Sequence, residues 1–249
     1  YHTIISLLDA PVFYPNHLLG LFSGFISPQY SDMEFSKSAH DATFAERLGG
    51  GIRLTPDVSV PGLISGDITV GLISSDATLK FPLGDKSVIT ISGRRSYINT
   101  LYNNLLTFEG FTPRYAFGDY YATFGTKLGR NHQLYAHVYY SDDNLELYAP
   151  TEVDPAADKK ELFDVGIFAD GPLSTKWNNF ASVVAGKYKT DNLQIEYSTH
   201  YSAYDNFSSV NFAAAAGTAV SKLHNFGADM NVKFPIADFM AMEVGAQYN

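Results

Sequence analysis

The feature that most restricts this chain is a period-two alternation sustained along both arms of a hairpin. Ala116, Gly118, Tyr120, Ala122, Phe124, Thr126 and Leu128 share one face, and Asp119, Tyr121, Thr123 and Lys127 share the other. After Gly129-Arg130-Asn131, Leu134, Ala136, Val138 and Tyr140 alternate with Gln133, Tyr135, His137, Tyr139 and Ser141. Successive side chains of a strand point to opposite sides of a sheet, so this period means strand. Arms of about ten residues, apolar on one face and polar on the other, fit strands that cross a bilayer and line a wet lumen. A half-buried strand of a soluble sandwich alternates in the same way, so the argument rests on repetition. In 193–204, Ile195, Tyr197 and Tyr201 oppose Gln194, Glu196, Ser198 and His200; in 223–234, Phe226, Met230, Val232 and Phe234 oppose Asn225, Asp229 and Lys233.

Turn lengths alternate too. Tight connections are expected near Leu83-Gly84-Asp85, Gly129-Arg130-Asn131, Thr190-Asp191 and Pro235-Ile236-Ala237-Asp238, and long ones over 98–114, 143–176 and 207–219. Short turns on one side and long loops on the other are the outer-membrane barrel pattern, with the long loops outside the cell. The apolar residues Phe81, Leu128, Tyr188 and Phe234 then mark the periplasmic rim. Nine crossings are expected, at 46–55, 64–82, 86–98, 115–128, 132–142, 177–189, 192–206, 220–234 and 239–249. The apolar phase switches within 64–82, which a bulge near Ile73 to Asp76 would explain. The strand-like segment 161–170 is assigned to the long outer loop, since a crossing there would put the Thr190-Asp191 turn outside.

Composition narrows the function. Charged residues are 17% of the 249, while Phe and Tyr number 18 and 17 against one Trp, a balance suited to an apolar wall with aromatic rims. The net charge of −9, without any Lys/Arg cluster, argues against nucleic acid. With no cysteine there is neither a disulfide scaffold nor a thiolate metal site. No apolar run reaches the eighteen or so residues of a membrane helix. The sequence starts at Tyr1 without Met, inside an apolar segment, so a longer parent chain is expected.

The first 45 residues differ in character, being short, irregular and rich in turn residues. Here Asp9, Pro11, Val12, Asn16, His17, Leu18, Gly20, Phe22 and Ser23 fall in the order of a plug-domain segment, and the chain resembles the TonB-dependent outer-membrane receptors. Ala45-Glu46-Arg47-Leu48-Gly49-Gly50-Gly51 is similar to the run that leads into that family's barrel, with the order of Arg-Leu and the glycines changed. Val70 to Leu79 and Ile91 to Ile98 resemble early barrel strands of the same branch. Asp9 is followed by Ala where the family prefers Gly, and Lys37-Ser38-Ala39-His40 replaces a Lys-Gly-Gly. The resemblance covers residues 8–98. It implies a 22-stranded plugged barrel in the outer membrane of a Gram-negative bacterium. This chain would hold the end of the plug (1–45) and the first part of the barrel (46–249). The resemblance further implies import of a scarce nutrient (iron chelate, glycan, peptide or vitamin), energised by a TonB-type inner-membrane complex. One branch adds a surface lipoprotein, for or against which no residue here argues.

Candidate functional residues follow from the strand faces. Arg94, in phase with Val88, Thr90 and Ser92, is expected to face the lumen, there to brace the plug or meet an anionic ligand. Arg95 must then face outward, tolerable only near the rim. Asp119, Tyr121, Tyr135, His137, Glu196 and His200 are expected to line the lumen and the ligand path; the plain alternative is that they are ordinary polar lumen residues. Asp9, Pro11, Asn16, His17 and Gly20 are the plug-motif positions. Asp142, Asp143, Glu146, Glu152, Asp154 and Asp158 lack the spacing and turn glycine of a calcium loop and read as solvated loop acids. No His-Glu-x-x-His, nucleophile elbow, Walker loop or dinucleotide fingerprint occurs, so neither an enzyme nor a metal or other cofactor is expected.

The sequence therefore points to an all-β chain, part of a transmembrane antiparallel barrel with the end of a plug. Its expected partners are outer-membrane lipids and the energy-transducing complex, and no nucleic acid. Two other readings fit the alternation: an outer-membrane scaffold or adhesion barrel, and a soluble β-sandwich binding protein such as a lectin or shell component.

Overall fold

Among the described residues, short runs interrupted by Pro and Gly give six strands of two to seven residues before residue 57, and the alternating segments give nine of six to 23 residues after it. The computed structural model describes residues 4–36, 50–101, 112–148, 173–212, 215–237 and 240–249. The short strands are β1 (Ile4–Leu7), β2 (Ala10–Val12), β3 (Asn16–His17), β4 (Phe22–Ser23), β5 (Tyr30–Ser36) and β6 (Gly51–Pro56). They form a four-stranded sheet in the order β2-β1-β6-β5 and a small β3-β4 ribbon. β1 and β6 run parallel, and the other pairs are antiparallel.

The long strands are β7 (Ser65–Val70), β8 (Ser74–Leu83), β9 (Ser87–Ser96), β10 (Thr112–Leu128), β11 (His132–Tyr148), β12 (Leu173–Lys189), β13 (Gln194–Phe212), β14 (Ala215–Ala237) and β15 (Met240–Tyr248). They pair in sequence order into one antiparallel sheet, a wall whose edges are β7 and β15 among the described residues. No described helix is long and apolar enough to cross a membrane, so any crossing is by strands. Gly84 (φ +68°) and Gly129 (φ +77°) open the tight β8-β9 and β10-β11 turns in a backbone conformation that side chains disfavour.

Several boundaries differ from expectation. Within the expected crossing 46–55, the described part belongs to β6, which lies between β1 and β5 in the small sheet. Its alternation is too short to distinguish a wall strand from a strand covered on both faces, and Leu54 is fully buried. The expected crossing 64–82 is two strands, β7 and β8, joined through Gly71-Leu72-Ile73. Ile68 pairs with Ala77 and Gly66 with Leu79, so the change of phase brings both arms to the same face and no bulge is needed. Nine wall strands are thus present among the described residues, but with a different membership from the nine expected. The connection expected over 207–219 is mostly strand, because β13 reaches Phe212 and β14 begins at Ala215. Likewise, β11 runs on to Tyr148 and β12 begins at Leu173, which shortens the loop expected at 143–176. β14 also continues through Pro235 to Ala237, with an irregular register opposite β15. Segment 161–170 lies outside the described residues.

The two faces of the wall separate as the alternation requires. Tyr120, Phe124, Leu128, Val138, Tyr140, Val184, Phe226 and Met230 are exposed on the outer face. Tyr120 and Tyr140 stack there at 6.2 Å. Arg95 does face outward, and its Nη1 reaches Asp142 Oδ2 at 2.8 Å. The two stand on either side of Gly118, which pairs with both residues and leaves room for the guanidinium.

The inner face carries the short-strand unit. Leu7, Leu8, Ala10, Val12, Ile26 and Leu54 of that unit pack with Tyr121, Tyr139, Ala181, Val183 and Ala185 of the wall into one buried cluster. A second joins Tyr14 and Leu18 to Tyr115, Phe117 and Trp177. Each fully buried aliphatic side chain contributes about 1.5–3 kcal/mol relative to exposure. Apolar burial therefore seats the unit, while the polar contacts decide where it sits.

Candidate functional site: the interface between plug and wall

The unit of β1 to β6 meets the wall at three levels. Farthest from the tight turns is His17, at the end of β3. Its Nε2 lies 2.9 and 3.0 Å from the Asp119 oxygens, and its Nδ1 lies 3.0 and 2.9 Å from those of Asp143. All three residues are buried. A ring facing a carboxylate on each nitrogen must carry both protons, one N–H donated to each side. Burial alone would lower the His17 pKa, but hydrogen bonds to Asp119 and Asp143 and their negative charges outweigh it and raise the value to about 9.

The wall secures the two carboxylates. Arg94 donates to Asp119 from Nε at 2.8 Å and from Nη2 at 2.6 Å, and its Nη2 also donates to the Ser23 carbonyl at 2.5 Å. The Tyr115 hydroxyl donates to Asp143, and Tyr139 reaches Asp119 at 3.4 Å. The His17 ring lies on Phe117, with centroids 4.3 Å apart and planes 15° apart. Nearby, Asn179 Nδ2 donates to the Tyr14 carbonyl at 2.8 Å.

The middle level is a chain of buried hydrogen bonds through Gln29, which ends the short 3-10 turn Ser27–Gln29. Thr78 and Ser92 share a bond of 2.8 Å, and Ser92 donates to Gln29 Oε1 at 2.5 Å. Gln29 Nε2 donates to Thr123, which shares a 2.7 Å bond with His137 Nδ1. If Ser92 spends its proton on Gln29, the Thr78 hydroxyl must donate to Ser92. Beside this chain, the Tyr121 hydroxyl donates to the Gly24 carbonyl, and Tyr121 stacks on Tyr139 at 4.8 Å.

The level nearest the tight turns is charged and wetter. Ser198 donates to Asp9 at 2.6 Å, while Arg53 lies 3.3 Å from Asp9 and 3.8 Å from Glu196. Glu196 also meets Lys187 at 2.6 Å. For Arg53 too, burial is outweighed, here by Asp9, Glu196 and Glu34, so its pKa is raised. Asp9, Glu34, Arg53, Lys187 and Glu196, together with Tyr135, line a cavity of about 410 Å³ between plug and wall.

Every candidate residue is thereby placed. Arg94, Asp119, Tyr121, His137 and Glu196 are on the inner face, where they meet the plug or groups that hold it. Tyr135 borders the cavity, its hydroxyl on Gln133 at 2.8 Å. His200 is also inward but stays within the wall, with Nε2 2.9 Å from Asn225 and Nδ1 3.4 Å from Asp229. Of the motif positions, Asp9 and His17 make polar contacts with the wall, and Pro11 is buried in β2. Asn16 pairs with Ser23 in the ribbon, and Gly20 turns the chain at φ +97°. Sequence reasoning missed Gln29, Tyr115 and above all Asp143, which it assigned to a loop. One more step of the alternation from Ser141 would have placed Asp143 inward beside Asp119. Asp142 and Asp143, adjacent in a strand, face opposite sides and cannot share an ion. No group of three or more His, Asp or Glu that could hold a metal is found among the described residues.

An antiparallel wall that carries a small mixed-sheet plug on its inner face is the fold of the TonB-dependent outer-membrane receptors. The soluble β-sandwich reading is overturned, because here the second unit is a plug on one face of a single wall. Among solved structures the chain is similar to the ferric enterobactin receptor PfeA from Pseudomonas aeruginosa, with a TM-score of 0.66 and 12% identity over 99% of this chain and 40% of that one. It is also similar to the copper transporter OprC, with a TM-score of 0.61 and 10% identity over 99% of this chain and 46% of the other. For the siderophore receptor PiuA from Acinetobacter baumannii the TM-score is 0.60, with 13% identity over 88% of this chain and 34% of that one. The chain thus spans less than half the length of each. By sequence, no family model and no curated protein matches it.

Proposed function

We propose that this chain is the plug-bearing part of an outer-membrane importer that takes up a scarce nutrient, such as a metal chelate, under the drive of a TonB-type inner-membrane complex. The observation that carries the reading is the composition of the plug–wall interface. A covalently continuous plug is seated by an apolar cluster yet registered by a few buried polar contacts, those of His17, Gln29 and Asp9. Such contacts hold well at rest, and the groups left behind can be rehydrated in an aqueous lumen once the plug segment moves. The plug reaches through β6 to Pro56, and residues 57–64 lead into the wall, anchored by the Lys80–Asp57 pair and by Val58 against Gly125. The apolar outer face meets outer-membrane lipid. Arg94 acts as the brace, and Tyr135 and Glu196, beside the cavity, stand on the path that opens when the plug shifts. The chain has no enzymatic part in this scheme.

The experiment is a reversible lock in the full-length protein. Asp9→Cys with Ser198→Cys places two thiols across the interface, and cells are assayed for accumulation of ferric catecholate and copper probes with and without a proton-motive force. The expected result is energy-dependent accumulation that stops when the disulfide forms and returns on reduction. Accumulation that ignores the lock would overturn plug-gated import.

A further inference from the structure

The wall's half of the His17 contact is made of wall residues, two of which also touch the plug, Arg94 at the Ser23 carbonyl and Tyr115 at the Leu18 N–H. Phe117 and Asp119 come from β10 and Asp143 from β11, and Arg94, Tyr115 and Tyr139, all wall residues, fix the two carboxylates. Together they form a slot with an aromatic floor and a carboxylate on each side. The occupant lies flat on the floor and presents one ring nitrogen to each carboxylate. Arg94 is already committed to Asp119 through both Nε and Nη2, as a partner of that carboxylate rather than an occupant of the slot. Without the occupant, two carboxylates face one guanidinium, leaving a net charge of −1. One planar cation with N–H donors on opposite edges restores neutrality and saturates both acceptors. An ammonium ion cannot stack, and a neutral imidazole has a single N–H for two carboxylates.

We propose that the Phe117–Asp119–Asp143 slot is a binding site in its own right for a planar nitrogen cation of the imidazolium type, which His17 occupies as a ligand carried by the plug and which faces the lumen once the plug segment leaves. Its exposure during transport rests on the plug-gated reading above; its capacity to bind does not. A cargo bearing an imidazole or similar planar cation would then find a stopping point on the wall that the departing plug has vacated.

The test uses the full-length protein in detergent with His17→Ala, titrated calorimetrically with imidazole at pH 6, where the free ring (pKa about 6.5) is largely protonated. Ammonium chloride at matched ionic strength is the control. His17→Asn, which keeps a polar side chain at the position, is the second background in case the alanine variant does not fold. Saturable binding at one site is expected in the variant and none in the wild-type protein. Binding should weaken at least about tenfold when Asp119→Asn or Asp143→Asn is added, since a hydrogen bond to a charged group is lost. No saturable binding in a folded variant, equal binding of ammonium, or indifference to either asparagine would overturn the site. Imidazole binding alongside accumulation that ignores the disulfide lock would sink the importer reading and leave the site standing; the reverse pattern would do the opposite.

Discussion

Raising the pH should release the plug through one group, His17. Its pKa of about 9 in the docked plug lies above the 6.5 of a free imidazole, because docking places Asp119 and Asp143 against its two nitrogens. A group whose pKa is raised on docking contributes fully below its free value and loses that contribution as the pH climbs through the docked one. The difference of about 2.5 units, at 1.36 kcal/mol each, is about 3 kcal/mol, or roughly 300-fold in the docking equilibrium. The contribution is therefore intact below about pH 6.5, falls about tenfold per unit between 7 and 9, and is gone above 9. The groups that face the ring are Asp119 and Tyr115 on β10, Asp143 and Tyr139 on β11, and Arg94 on β9 behind Asp119. Hydrogen exchange of segment 8–30 in the full-length protein, compared between wild type and His17→Gln from pH 6 to 10, isolates the effect. Exchange in the wild type, corrected for its intrinsic pH dependence, should accelerate across 7–9, while the glutamine variant stays flat. Equal slopes in the two proteins would refute the assignment of charge to His17.

Three further outcomes are expected. Gln29→Ala removes a side chain with bonds to Ser92 and Thr123 and leaves both buried groups short of a partner; plug docking should weaken by about 1–3 kcal/mol, read as earlier protease cutting of the plug. Gly125→Ala drives a methyl into the Val58 side chain, so the linker must shift; destabilisation of about 1–3 kcal/mol in thermal unfolding should be relieved by adding Val58→Gly. Val184→Arg, on the lipid-facing side at 54% exposure, should cost about 2–4 kcal/mol in folding into bilayers, whereas at the outer rim Asp142→Asn, which breaks a solvent-exposed pair, should cost under about 1 kcal/mol; heat-dependent gel mobility reads both.

The alternation made the wall legible, since a face that must meet lipid leaves a periodic record in sequence. That is why Tyr120, Tyr140 and Met230 were placed outward, and Asp119, His137 and His200 inward, from spacing alone. Where the alternation is short the record fails. β6 has six residues, covered on both sides, and reads like any wall strand. The β7-β8 turn hides because both arms alternate and the turn Gly71-Leu72-Ile73 has only Gly71 as a signal. Outer strand ends fail for another reason. Beyond the bilayer a paired strand has no need of an apolar outer face, so β11 carries Asp142, Asn144 and Glu146 there and β13 runs on through Ser208 and Ser209, residues that look like loop. Asp143 was lost on that account, and with it half of the His17 slot. The Gln29 chain could not be foreseen, because hydrogen bonding between a plug amide and two strands of the wall is a property of the assembled surfaces.

Arg95 and Asp142, either side of Gly118, serve as a depth mark. A paired charge on the outer face belongs where hydrocarbon ends, and Gly118 lies ten residues above Leu128 on the same strand. At about 3.3 Å per residue that is roughly 33 Å of strand, which a tilt of about 40° reduces to roughly 25 Å of membrane, the height of the apolar band of an outer-membrane barrel. Asp119 is the next residue on the inner face. The plug is therefore gripped at the level of the outer headgroups; on the importer reading proposed above, a molecule descending from outside would meet the His17 contact at the top of its passage, before the hydrocarbon-clad part of the lumen.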